Sequence, residues 1–203
     1  MKFVSIGPYC ATGDILKNHH LKTESYPFDN IFSSLDIVKH CIDDKFKVFL
    51  DKQYYTPGTS EDSTRHSFYC PFLDTPLLRI HHMVVDGWAS DYKSSTGNFF
   101  NHHNLIDDRG DYEKFQRRCA RFLSLLESNE KTVLFYYNRY TTYFDDLVEF
   151  YKHFCHKKNI FIVGVFENMN DCRKILYENL NCKIYQNYDM PTIVHDVQMN
   201  FKE

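Results

Sequence analysis

Two apolar runs, at 132–137 and 159–166, flank a stretch of helical periodicity at 144–156, and this alternation constrains the chain more than any other feature. A helix-length insert between two strands cannot be a hairpin turn. It acts as a crossover, and a crossover returns the chain to the same end of the sheet, so the two strands run parallel. The pattern continues on both sides. A helix is expected at 171–180, and a last short strand at 183–186. Before the first run, 111–127 has the spacing of a strong amphipathic helix, with Phe115, Cys119, Phe122 and Leu126 as its inner stripe. Lys114, Arg117, Arg118 and Arg121 lie largely off that stripe; Arg117, Arg118 and Arg121 could touch anions, and a solvated face is the preferred reading.

The start of the chain repeats the theme. Residues 2–6 form a short apolar run stopped by Gly7-Pro8, and 10–20 turn helical. A second helix is expected at 34–45, capped by Ser33 or Ser34. The polar stretch 51–70 reads as a loop, 77–85 as a strand and 86–97 as another loop. Together these elements predict one α/β domain over 1–203. It has three layers and a mostly parallel sheet with crossover helices, in which strands 2–6, 132–137 and 159–166 are adjacent and parallel.

Composition removes several functions. Lys+Arg number 24 against Asp+Glu 27, a net charge of −3, so no global basic field draws the chain to nucleic acid or anionic lipid. No apolar run approaches the roughly eighteen residues that a membrane span needs. The apolar start breaks too soon for a signal peptide, which points to the cytoplasm. The seven cysteines are odd in number and contain no Cys-x-x-Cys pair, which speaks against a disulfide framework or a zinc ribbon. His-Glu-x-x-His, Gly-x-Gly-x-x-Gly, a Walker loop and Gly-x-Ser-x-Gly are all missing, so neither a metal nor a dinucleotide or other cofactor is expected. Abundant Phe, Tyr, Asn and Lys beside few Gly and Pro suit an AT-rich genome, such as that of a large DNA virus or a low-GC bacterium. For a viral chain the compartment would be the host cytoplasm.

In an open parallel sheet, ligands bind beyond the carboxyl ends of the strands. Three polar residues fall there: Cys10 after the first strand, Arg139 after 132–137 and Glu167 after 159–166. Cys10 also opens a helix, where backbone amides and the helix dipole favour a thiolate. Of eleven histidines, six form adjacent pairs. His19-His20 suit a helix C-terminus, and His81-His82 lie in an apolar run. His102-His103 lie in an aromatic, polar loop before the strong helix, where a base could meet Cys10.

The segments Ser5-Ile6-Gly7-Pro8-Tyr9-Cys10, Leu21 to Asn30 with its Pro27-Phe28-Asp29, and Phe32-Ser33-Ser34 resemble a domain family of unknown function described as papain-like cysteine peptidases. Phe100-Asn101-His102-His103-Asn104, the Arg117-Arg118 helix and the strand into Arg139 resemble it too, so the likeness covers nearly the whole chain. Ile6 stands where that family has Leu, and Asn30 where it has Trp. The resemblance implies a Cys10 nucleophile, a base at His102 or His103, and an acidic orienter at Asp29. It also implies a papain-like core with an antiparallel sheet, against the parallel sheet that the periodicity requires.

The leading expectation is therefore a thiol hydrolase or acyl transferase acting on a small-molecule, peptide or glycan substrate. A glycan-related transferase would instead hold a nucleotide sugar with Arg139 and Glu167. A non-enzymatic protein would use the scaffold only to bind a host-pathway partner. Asp29, in a turn between helices, is expected to serve structure at least as much as catalysis.

Overall fold

Every residue of TVLFYYN is buried, as is every residue of IFIVGVF, and these two segments form the centre of a sheet. Continuous rather than alternating hydrophobicity is what a strand covered on both faces requires. The computed structural model describes residues 1–31, 33–52, 55–57, 67–69, 98–100, 103, 105, 108–139, 144–167 and 172–200. The sheet combines β1 (Lys2–Ser5), β5 (Thr132–Asn138), β6 (Ile160–Phe166), β8 (Cys182–Gln186) and β7 (Lys174–Asn179), in that spatial order. β1, β5, β6 and β8 run parallel to one another, with Val4 beside Leu134 and Leu134 beside Ile162. The parallel reading holds for this sheet, where the resemblance implied an antiparallel one.

The alternation of side chains along the strands splits the core in two. One face carries Phe3, Val133, Phe135, Tyr137, Phe161, Val163 and Tyr185. It is covered by Leu16 of α1 (Cys10–Asn18) and by Ile193 and Val197 of α5 (Met190–Asn200). The other face carries Val4, Leu134, Tyr136, Ile162 and Ile184. Three helices cover it: α2 (Leu35–Asp43), α3 (Arg109–Glu127) and α4 (Phe144–Phe154). This is the three-layer arrangement. Ser34 caps α2 by accepting from Ile37 N, and Asp108 caps α3 by accepting from Asp111 N.

Residues 171–180 depart from the expected helix. Lys174–Asn179 form β7, an exposed edge strand antiparallel to β8, with Glu178 opposite Lys183. Only Leu180 and Asn181 separate the two strands, and the Asn179 side chain accepts from Leu180 N, so the connection is a hairpin. The return from β6 to β8 thus runs through an edge strand instead of a crossover helix. The loop expected at 51–70 contains β2 (Tyr55–Pro57) and β3 (Ser67–Tyr69). The loop before α3 contains β4 (Asn98–Phe100), and the three strands make a small antiparallel sheet. The expected strand at 77–85 and the loop at 86–97, His81-His82 included, lie outside the described residues. No described helix is long and apolar enough to cross a membrane.

Candidate active site

The turn from β1 into α1 is held at several points. Ile6 N donates to Phe135 O, Ser33 N to Pro8 O, and the Ser33 hydroxyl to Gly7 O. The Thr12 hydroxyl donates to Tyr137 O, tying α1 to β5. Gly7 is required because a Cβ there would lie 1.8 Å from Thr12 Oγ1. Gly13 is required because a Cβ there would lie 2.6 Å from the Asp29 carbonyl oxygen. The Gly-Pro-Tyr-Cys turn and the Pro-Phe-Asp segment are therefore two halves of one packed unit.

Pro-Phe-Asp has a clear division of labour. Asp29 N donates to Tyr26 O, closing a turn with Pro27 at its second position. Phe28 is fully buried among Phe46, Phe49 and Phe122. The Asp29 carboxylate, 1% exposed, accepts from Tyr26 N at 2.8 Å and pairs with Lys22 Nζ at 2.8 Å. Burial raises its pKa, while Lys22 and the Tyr26 amide oppose that shift.

Cys10 is the first residue of α1 and is half-buried. Burial raises its thiol pKa above the ordinary value, and the Asp14 carboxylate adds to the rise. Backbone amides of Cys10 and Ala11 act in the opposite direction, as a helix N-terminus should, but they do not win. The expected low thiol pKa is thus corrected: at neutral pH the resting group is a thiol. Nor are the other cysteines all sheltered, because Cys155 and Cys172 are exposed.

His103 lies just ahead of α3, and His102 lies outside the described residues. The His103 Nδ1 atom meets Asp111 Oδ1 at 3.2 Å, and its ring packs edge-on against Phe115 with centroids 5.1 Å apart. Burial lowers its pKa, and Asp111 only partly compensates, so near pH 7 the ring is a neutral imidazole. With Nδ1–H donated to Asp111, the lone pair rests on Nε2, which is buried and has no hydrogen-bond partner among the described residues. The carboxylate on the histidine is therefore Asp111, while Asp29 is engaged by Lys22 and Tyr26. Asp111 escaped the sequence reading because it sits in the first turn of a helix, where an acid ordinarily means only favourable dipole interaction. No hydrogen bond joins Cys10 to His103 among the described residues.

Arg139 and Glu167 come together at the carboxyl ends of β5 and β6, where Glu167 N donates to Asn138 O. The Tyr137 hydroxyl donates to Glu167 and accepts from Arg139, and burial together with Glu167 pushes its pKa up to about 12. Tyr9, next to Cys10, meets Tyr137 edge-on at 6.4 Å. Arg139 is thus engaged by a tyrosine and flanked by a carboxylate. One and two turns beyond Cys10, Asp14 and Lys17 line an open polar cleft of about 630 Å³ with Lys22, Asn30 and Arg121. The departure from Trp at position 30 therefore places a small polar amide on the wall of a cleft. Among the described residues, no group of three potential ligands could hold a metal ion.

A family model described as "Putative papain-like cysteine peptidase (DUF1796)" matches residues 1–161. No curated protein and no solved structure matches the chain.

Proposed function

Because the chain belongs to the family described as papain-like cysteine peptidases, we propose that it is a thiol hydrolase or acyl transferase with Cys10 as nucleophile and His103, held by Asp111, as base. The observation that carries this reading is the His103 ring, with Asp111 on Nδ1 and an open, buried Nε2. An imidazole oriented by a carboxylate and left without a second partner is the form a general base takes. Ligand-free enzymes often hold their catalytic hydrogen bonds long or open, and here substrate must bring Sγ and Nε2 together.

The chemistry follows from the resting charge states. Both groups start neutral, so the thiol proton passes to Nε2 as Sγ bonds to the acyl carbon. The amides of Cys10 and Ala11 favour the negative charge that develops at the helix start. Collapse breaks the bond to the leaving group, which takes the proton from the imidazolium. Water, or a second nucleophile, then cleaves the thioester, and His103 accepts its proton in turn. Because the His103 pKa is lowered, the base stays unprotonated somewhat below the usual histidine range.

The test uses p-nitrophenyl acetate with release of p-nitrophenol and mapping of the acetylated peptide. The wild-type protein should acetylate on Cys10 and turn over. Cys10→Ala should do neither, and His103→Ala and Asp111→Asn should slow turnover by roughly 10²- to 10⁴-fold. Unchanged turnover in Cys10→Ala would remove the thiol reading.

A further inference from the structure

We propose that Arg118 anchors a binding site for an anionic oxygen group, a carboxylate or a phosphoryl group, beside His103. Arg118 belongs to the helix face that the sequence suggested was solvated, yet its Nη1 atom is buried and has no hydrogen-bond partner among the described residues. Its guanidinium lies over the Phe115 ring at 5.1 Å, and the His103 ring packs against that same ring. Arg118 Nη1 and His103 Nε2, both buried and without partners among the described residues, therefore flank one aromatic side chain.

The neighbouring acids do not satisfy Arg118. Asp29 and Asp111 both lie within its field. Asp29, however, is taken by Lys22, Asp111 by Lys114 and His103, and Glu24 by Arg121 and Lys2. Each acid has another cation, and Arg118 forms no ion pair with any described residue. The residue as a whole is half-buried, but its Nη1 atom is withdrawn from water, and a buried polar atom left unpaired is unfavourable unless something outside the chain completes it. A planar fork stacked on an aromatic ring is also well shaped for two anionic oxygens.

The anion site itself does not require Cys10 chemistry. Its meaning as a substrate subsite rests on the thiol reading, and would make the substrate an acyl compound that carries a negative group.

Isothermal titration with inorganic phosphate and with acetate tests the site on the full chain. One or both should bind saturably to the wild type, and whichever binds identifies the group as phosphoryl or carboxylate. Arg118→Gln, which keeps much of the stem, should weaken that binding about 10- to 100-fold. Arg117→Ala removes the same charge from an exposed neighbour and should bind like the wild type. Arg118→Lys, which keeps the charge without the fork, should fall between. The proposal is overturned if neither anion saturates, or if Arg117→Ala loses as much as Arg118→Gln. Cys10→Ala should keep anion binding, so lost turnover and lost binding report separately on the two readings.

Discussion

At the residue scale, two side chains have environments that the motif alone does not reveal. Asp29 is a buried carboxylate that holds a backbone amide and an ammonium group. Asp29→Ala would strand both donors, so stability should fall by about 2–4 kcal/mol in chemical denaturation. A loss within about 0.5 kcal/mol, the range of ordinary surface substitutions, would deny it a structural role. Cys10 has a raised thiol pKa, and the sign of its pH dependence follows. Its thiolate fraction at neutral pH lies below that of an ordinary thiol, so carboxamidomethylation of Cys10 should climb about tenfold per pH unit until its pKa is passed. In a short iodoacetamide pulse read by peptide mass mapping, exposed Cys155 and Cys172 should react before Cys10. Asp14→Asn removes the like charge, and should speed Cys10 about 2- to 5-fold at low salt, since Asp14 is exposed and screened.

At the scale of elements, α1 is positioned by contact and not by propensity. Gly13→Ala should raise helix propensity by about 1 kcal/mol, yet its new methyl meets the Asp29 carbonyl. We expect a net loss of about 1–3 kcal/mol in urea unfolding; a gain would mean that the turn at 26–29 does not press on α1. The elements most legible in the sequence were those whose burial is continuous or periodic. β5 and β6 are such cases, and so is α3, whose Phe115, Cys119 and Phe122 are all buried. Beside the short strands β2, β3 and β4 found where loops were expected, β7 was expected as a helix. Its Ile175, Leu176 and Tyr177 sit on an edge strand with mixed exposure, so no clean period of two reaches the sequence. In the candidate site, position in the sequence singles out Cys10 and His103 as candidates and leaves Arg118 as an anion contact on a solvated face, while nothing in the sequence marks Asp111. Asp111 lies on α3 at a polar position that looks solvated until the His103 ring is placed on it.

At the scale of the whole molecule, the matched region ends inside β6, while the sheet continues through β8 and β7. β8 supplies the second neighbour of β6, and α5 covers Phe161, Val163 and Tyr185 on one face. A chain truncated after residue 161 should therefore lose its cooperative thermal transition by circular dichroism, while one ending at 200 should keep it. A cooperative transition at an unchanged Tm in the shorter chain would show that the first part folds without the rest. The clamp of Ser33 across Gly7 and Pro8 also acts in time. The amides of Ile6 and Ser33 are donated to Phe135 O and Pro8 O, so they are released only when β1 parts from β5 or the segment before α2 lifts away. Their hydrogens should trade for deuterium about as slowly as those of the central strands, even though they belong to a connecting turn. Cys10 then stands on a base tied to the central sheet, and that base should last as long as β1 stays paired with β5.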